Sequence, residues 1–62
     1  MISPAQTAAA RMIDLARRIT RLEREQAVET RRARNAWLTG QLAVLKAERT
    51  VLQRTLAAAV TE

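Results

Sequence analysis

A chain of 62 residues with no Cys and no His leaves room for one small domain and excludes disulfides and the usual transition-metal ligand sets. Ala, Arg, Leu, Glu and Gln dominate, Gly and Pro occur once each, and Phe and Tyr are absent, which disfavours an all-β chain and points to helix. The formal net charge is +5, and Lys46 is the single lysine among 11 basic residues, an arginine bias of the kind found in GC-rich bacterial and phage proteins.

A lone domain of this size buries only about 60% of its unfolded surface and is marginal as a monomer. With disulfides and metals excluded, self-association or a larger partner is the expected source of stability. The longest uncharged run, Asn35 to Leu45, has eleven residues. That is far short of the roughly 20 apolar residues of a membrane-spanning helix. No basic start and apolar run of a secretory signal opens the sequence, and residues 1–22, although Arg-rich and acid-poor, show no cleavage-like boundary. The expected location is cytoplasmic.

The first helix opens at "SPAQ". Ser3 suits the N-cap, Pro4 the first helical position, and Gln6 completes a capping box. Ala8, Met12, Leu15, Ile19 and Leu22 then recur at alternating spacings of four and three, which is a coiled-coil-like seam widened by Ala5, Ala9 and Ala16. Arg17, Arg21 and Arg24 fall on the opposite face. Beyond Leu22 the seam runs through Gln26, Thr30 and Ala33 to Trp37, polar or small until the Trp.

A new stripe follows in Leu38, Leu42, Leu45, Arg49, Leu52, Leu56 and Ala59, with Arg49 able to lay its stem along the stripe and its head in water. A thinner stripe of Val44, Ala47, Val51 and Ala58 lies well round the same helix, so this helix is expected to meet neighbours on two sides. The two leucine-type stripes differ in phase by roughly 90–100° on an ideal helix. One straight helix cannot present both to one partner, so a break is expected within residues 31–40, at Asn35 or Gly40, the two residues that most readily adopt a left-handed conformation. The predicted architecture is all-α. An antiparallel helical hairpin has its first helix over about 4–32, its turn within 31–40 and its second helix over about 38–60, and it dimerises into a four-helix bundle. Met12, Leu15, Ile19, Leu22, Leu38, Leu42, Leu45, Leu52 and Leu56 are the expected self-association residues. In length and layout this resembles the plasmid-encoded RNA-binding hairpin dimers of the Rop type; none of that family's motifs falls on these residues, so the likeness is architectural and carries no function.

Seven arginines (17, 18, 21, 24, 31, 32 and 34) against three glutamates (23, 25 and 29) give residues 17–34 a net charge of +4. In the simplest reading this is a solvated helix face with weak i,i+4 pairs. In the functional reading it meets an acidic protein surface, nucleic acid or, less well, an anionic membrane. Arg donates two bonds to phosphate through its planar fork. Against nucleic acid stand the interspersed glutamates and the lack of interleaved aromatics; against a membrane, Trp37 is the only bulky aromatic anchor. Trp37 either caps the bundle near the turn or belongs, with its arginine neighbours, to an interface, where Trp and Arg are enriched in hot spots. The candidate partner-binding residues are therefore Arg24, Arg31, Arg32, Arg34 and Trp37. Catalysis is not expected: there is no His, Cys or Tyr for acid–base or nucleophilic work, no Gly-rich phosphate loop and no cofactor motif. The expected function is a non-enzymatic interaction protein that self-associates and docks on a larger protein to scaffold, regulate or inhibit it, in keeping with phage or mobile-element regulators. The alternative is a helical dimer that binds nucleic acid through the Arg-rich face of the first helix.

Overall fold

The computed structural model describes residues 4–61, with side chains from 6 to 60. Two helices, α1 (Pro4–Val28) and α2 (Arg32–Thr61), lie antiparallel in a rod of 46 × 17 × 14 Å. Pro4 opens α1 as expected, whereas Ser3 and its capping role lie outside the described residues.

The hairpin closes along the two predicted seams. Ala8, Leu15 and Ile19 of α1 and Leu38 and Leu42 of α2 are buried, Leu15 and Leu38 completely. Met12, Leu22, Leu45, Leu52 and Leu56 are half-buried on the same seams, and Arg49 is half-buried among them. The residues expected to drive self-association thus line the contact between the two helices of one chain. Ala9 and Ala16 are exposed, so the seam of α1 is narrower than its alanines implied.

Polar side chains fix the register. Arg11 Nε donates to Glu48 Oε1 at 2.8 Å, and Arg34 Nε donates to Glu25 Oε1 at 3.2 Å. Both pairs join positions whose numbers sum to 59, as an antiparallel pair of helices requires. Arg11 also reaches Asp14 one turn on at 3.3 Å, and Gln26 Nε2 donates to Thr39 Oγ1 at 2.7 Å nearer the turn.

The turn is shorter and earlier than predicted. It consists of Glu29, Thr30 and Arg31, and it overlaps the expected window only at Arg31. Asn35 and Gly40, the expected break sites, are both helical, and no described residue has a positive φ. The phase mismatch did signal a break, but the reversal uses side-chain capping instead of a left-handed residue. Glu29 N–H donates to the Gln26 carbonyl at 3.2 Å, which tightens the last turn of α1. The Glu29 carboxylate accepts from the Arg31 backbone N–H at 2.9 Å and from Arg31 Nε at 3.0 Å. The Arg31 carbonyl accepts from Asn35 N–H at 2.9 Å and so begins α2. Placed there, Glu29 also sets a negative charge at the positive end of the α2 macrodipole.

Candidate functional site

Helical spacing decides which arginines stay available. Arg17, Arg21 and Arg24 follow one another at four and three residues, on the face of α1 opposite Ala8, Leu15 and Ile19. Packing α2 against the seam therefore turns all three to solvent. Successive members stand about 5–6 Å apart along the axis at 1.5 Å per residue, within the roughly 8 Å screening length of physiological salt, so their fields add. Together with Ala16 and Thr20 they line a shallow concavity. Among the described residues none of the three is in a salt bridge.

The glutamates interspersed in the sequence neutralise different arginines. Glu25 crosses the hairpin to Arg34, and Glu29 holds Arg31 in the turn. The carboxyl of Glu29 is lowered to about 2, chiefly by the side-chain hydrogen bond from Arg31, with the Arg31 backbone N–H adding to it. The Arg31 guanidinium is raised in turn by the same carboxylate. Of the arginines in the 17–34 segment, Arg31 and Arg34 are ion-paired, whereas those on α1 and Arg32 at the start of α2 are in no salt bridge among the described residues.

Trp37 stands on α2 beside the α1 arginines. Its ring is 48% exposed, and the Arg34 guanidinium lies 4.3 Å above its centroid. Because Glu25 fixes Arg34 from below, the cation and the ring form a preset stack. Next to it runs a groove of about 220 Å³ between the helices, lined by Arg18, Arg21, Leu22, Trp37, Gln41 and Leu45. Its walls are apolar at Leu22, Leu45 and the indole and basic at Arg18 and Arg21. Arg21 belongs to both the groove and the outer basic face.

The predicted cluster of Arg24, Arg31, Arg32, Arg34 and Trp37 is therefore divided. Arg34 and Trp37 are in direct contact, Arg31 is tied to Glu29, Arg32 is exposed at the start of α2 without an ion pair among the described residues, and Arg24 belongs to the outer face of α1. Arg18, Arg21, Leu22, Gln41 and Leu45 complete the groove and were not foreseen as partner-binding residues. Their spacing across two helices becomes meaningful only once the register is known. Among the described residues no group of His, Cys, Asp and Glu is placed to hold a metal ion, and no helix is long and apolar enough to cross a membrane. The chain matches no protein-family model, no curated protein and no solved structure.

Proposed function

We propose that this chain is a small non-enzymatic interaction protein that self-associates and docks on a larger protein to scaffold, regulate or inhibit it. The observation that carries this reading is the groove beside Trp37, with an apolar wall, a basic rim and a cation–π stack held in place by Glu25. Such a groove suits a protein segment that offers an apolar side chain flanked by carboxylates. The indole supplies buried area, and Arg18 and Arg21 supply charge-assisted hydrogen bonds. Cytoplasmic residence and a phage or mobile-element setting belong to the same reading, the latter in keeping with the arginine bias.

A second reading has its own support in the unpaired Arg17, Arg21 and Arg24 face, which could follow a phosphate backbone. The two separate by salt and by mutation. Affinity capture from nuclease-treated lysate at moderate salt, read by mass spectrometry, should retain a protein partner with the wild type and lose it with Trp37→Ala. A central Trp of this kind contributes about 2 kcal/mol or more, roughly a 30-fold loss of affinity. Binding that disappears with nuclease, weakens by orders of magnitude between low and moderate salt and fails in Arg17→Ala/Arg24→Ala but survives Trp37→Ala would replace the first reading with the second.

A further inference from the structure

The hairpin exposes more surface than its mass accounts for. It presents 4968 Å² for 6.9 kDa, whereas a folded monomer of that mass exposes about 4,000 Å² by the general scaling of surface with mass. The excess of about 1,000 Å² is close to the roughly 800 Å² that each partner buries in a specific interface.

Part of the exposed apolar surface forms a continuous row on one face of α2, whereas Ile13, Val28 and Val60 lie elsewhere. Of the large exposed apolar side chains, Trp37, Val44 and Val51 share that face, at 48%, 63% and 59% exposure. Ala33, Gly40, Ala47, Arg54 and Ala58 complete the row and are all exposed. Positions 33, 37, 40, 44, 47, 51, 54 and 58 alternate in steps of four and three, the a/d rhythm of a coiled-coil seam. On an ideal helix this second seam lies roughly 150° from the leucine seam that faces α1. The outer face of α1 offers no equivalent, because Arg17, Arg21 and Arg24 occupy it and would repel a second copy.

The row is also complementary to itself. When it is laid antiparallel on an identical row, positions that sum to 91 meet, and this is the a-to-d pairing of an antiparallel coiled coil. Val44 meets Ala47 of the partner subunit, Gly40 meets Val51 of the partner subunit, Trp37 meets Arg54 of the partner subunit, and Ala33 meets Ala58 of the partner subunit. Each bulky apolar side chain faces a smaller one or, for Trp37, a guanidinium that can stack on its outer edge. A two-fold contact requires this reciprocity, since residue i touches j and j touches i.

Gly40 gives an independent reason. A Cβ added there would meet nothing within 4 Å, and its φ is not positive. Neither packing nor backbone conformation within the hairpin calls for glycine, although glycine inside a helix costs about 1 kcal/mol relative to Ala. Close approach of a second backbone does call for it.

We infer that two copies of this chain dimerise through the outer face of α2, antiparallel and centred between Val44 and Ala47, with Val51 of each copy seated over Gly40 of the other. This deepens the self-association part of the function proposed above and names its surface. The four helices then run α1–α2–α2–α1 in a flattened layer, both basic faces stay outside the contact, and Trp37 borders it at the edge of each groove.

Sedimentation equilibrium with far-UV circular dichroism tests this. The wild type should be dimeric at micromolar concentration, Gly40→Leu should weaken the dimer at least tenfold while keeping its helicity, and Val44→Arg should do the same. Because the chain has no Cys, a mixture of Val44→Cys and Ala47→Cys chains should oxidise mainly to the mixed disulfide. A wild type that stays monomeric at all accessible concentrations overturns both this inference and the self-association part of the proposed function. A dimer indifferent to both Gly40→Leu and Val44→Arg, or one that favours Val44–Val44 crosslinks, overturns the α2 interface alone and leaves the docking reading standing.

Discussion

Glu29 shows how one side chain settles where the chain reverses. Its carboxylate takes up the backbone N–H and the guanidinium of Arg31, an arrangement that requires the ionised form. Its pKa is lowered from 4.5 to about 2, so the linkage has a definite sign. The contribution of Glu29 to stability is complete above pH 4.5 and is lost as pH falls towards 2. Glu29→Gln should be less stable than the wild type at neutral pH and should lose less stability than the wild type between pH 4.5 and 2. Urea midpoints measured across that range check this, and parallel curves for the two proteins would count against it. Nothing in residues 29–31 looks like a turn by composition, since Gly, Asn and Pro are all absent there. The signal lies in a Glu placed two residues before an Arg, a pairing that no turn propensity of these residue types marks out.

Within the elements, burial separates leucines that look alike in the sequence. Leu38 and Leu56 occupy equivalent seam positions on α2, yet Leu38 is fully buried at the height of Leu22 while Leu56 is half-exposed towards the end of the rod. Leu38→Ala should cost about 2–5 kcal/mol, the usual range for removing a core Leu, which is most of the stability of a domain this size. Leu56→Ala should cost less than half as much. Chemical denaturation followed by helicity distinguishes them, and equal costs would contradict the packing. The seams themselves were legible because a spacing of three and four residues fixes one helix face whatever lies opposite. Their depth was not, because it depends on how far along the rod each residue meets its counterpart.

For the whole molecule the deciding quantity is surface. Among the described residues the two-helix rod has a thin core of five buried residues, Ala8, Leu15, Ile19, Leu38 and Leu42, and an exposed apolar row of Trp37, Val44 and Val51 along one side of α2. If association supplies the missing burial, stability depends on concentration by mass action. The melting temperature should rise as protein concentration is increased over two orders of magnitude, and a cooperative melt independent of concentration would identify the hairpin as stable on its own.

The sequence by itself determined that the chain is helical, that two seams exist, and that they cannot belong to one straight helix, because local propensity and a period of 3.6 residues are written into neighbouring positions. Only the tertiary structure decided where the break falls, which arginines are neutralised by Glu25 and Glu29 and which are left free on α1, and that Trp37 shares a groove with Arg18 and Leu22. These outcomes depend on the antiparallel register, which joins residues far apart in the chain through contacts that no local pattern encodes.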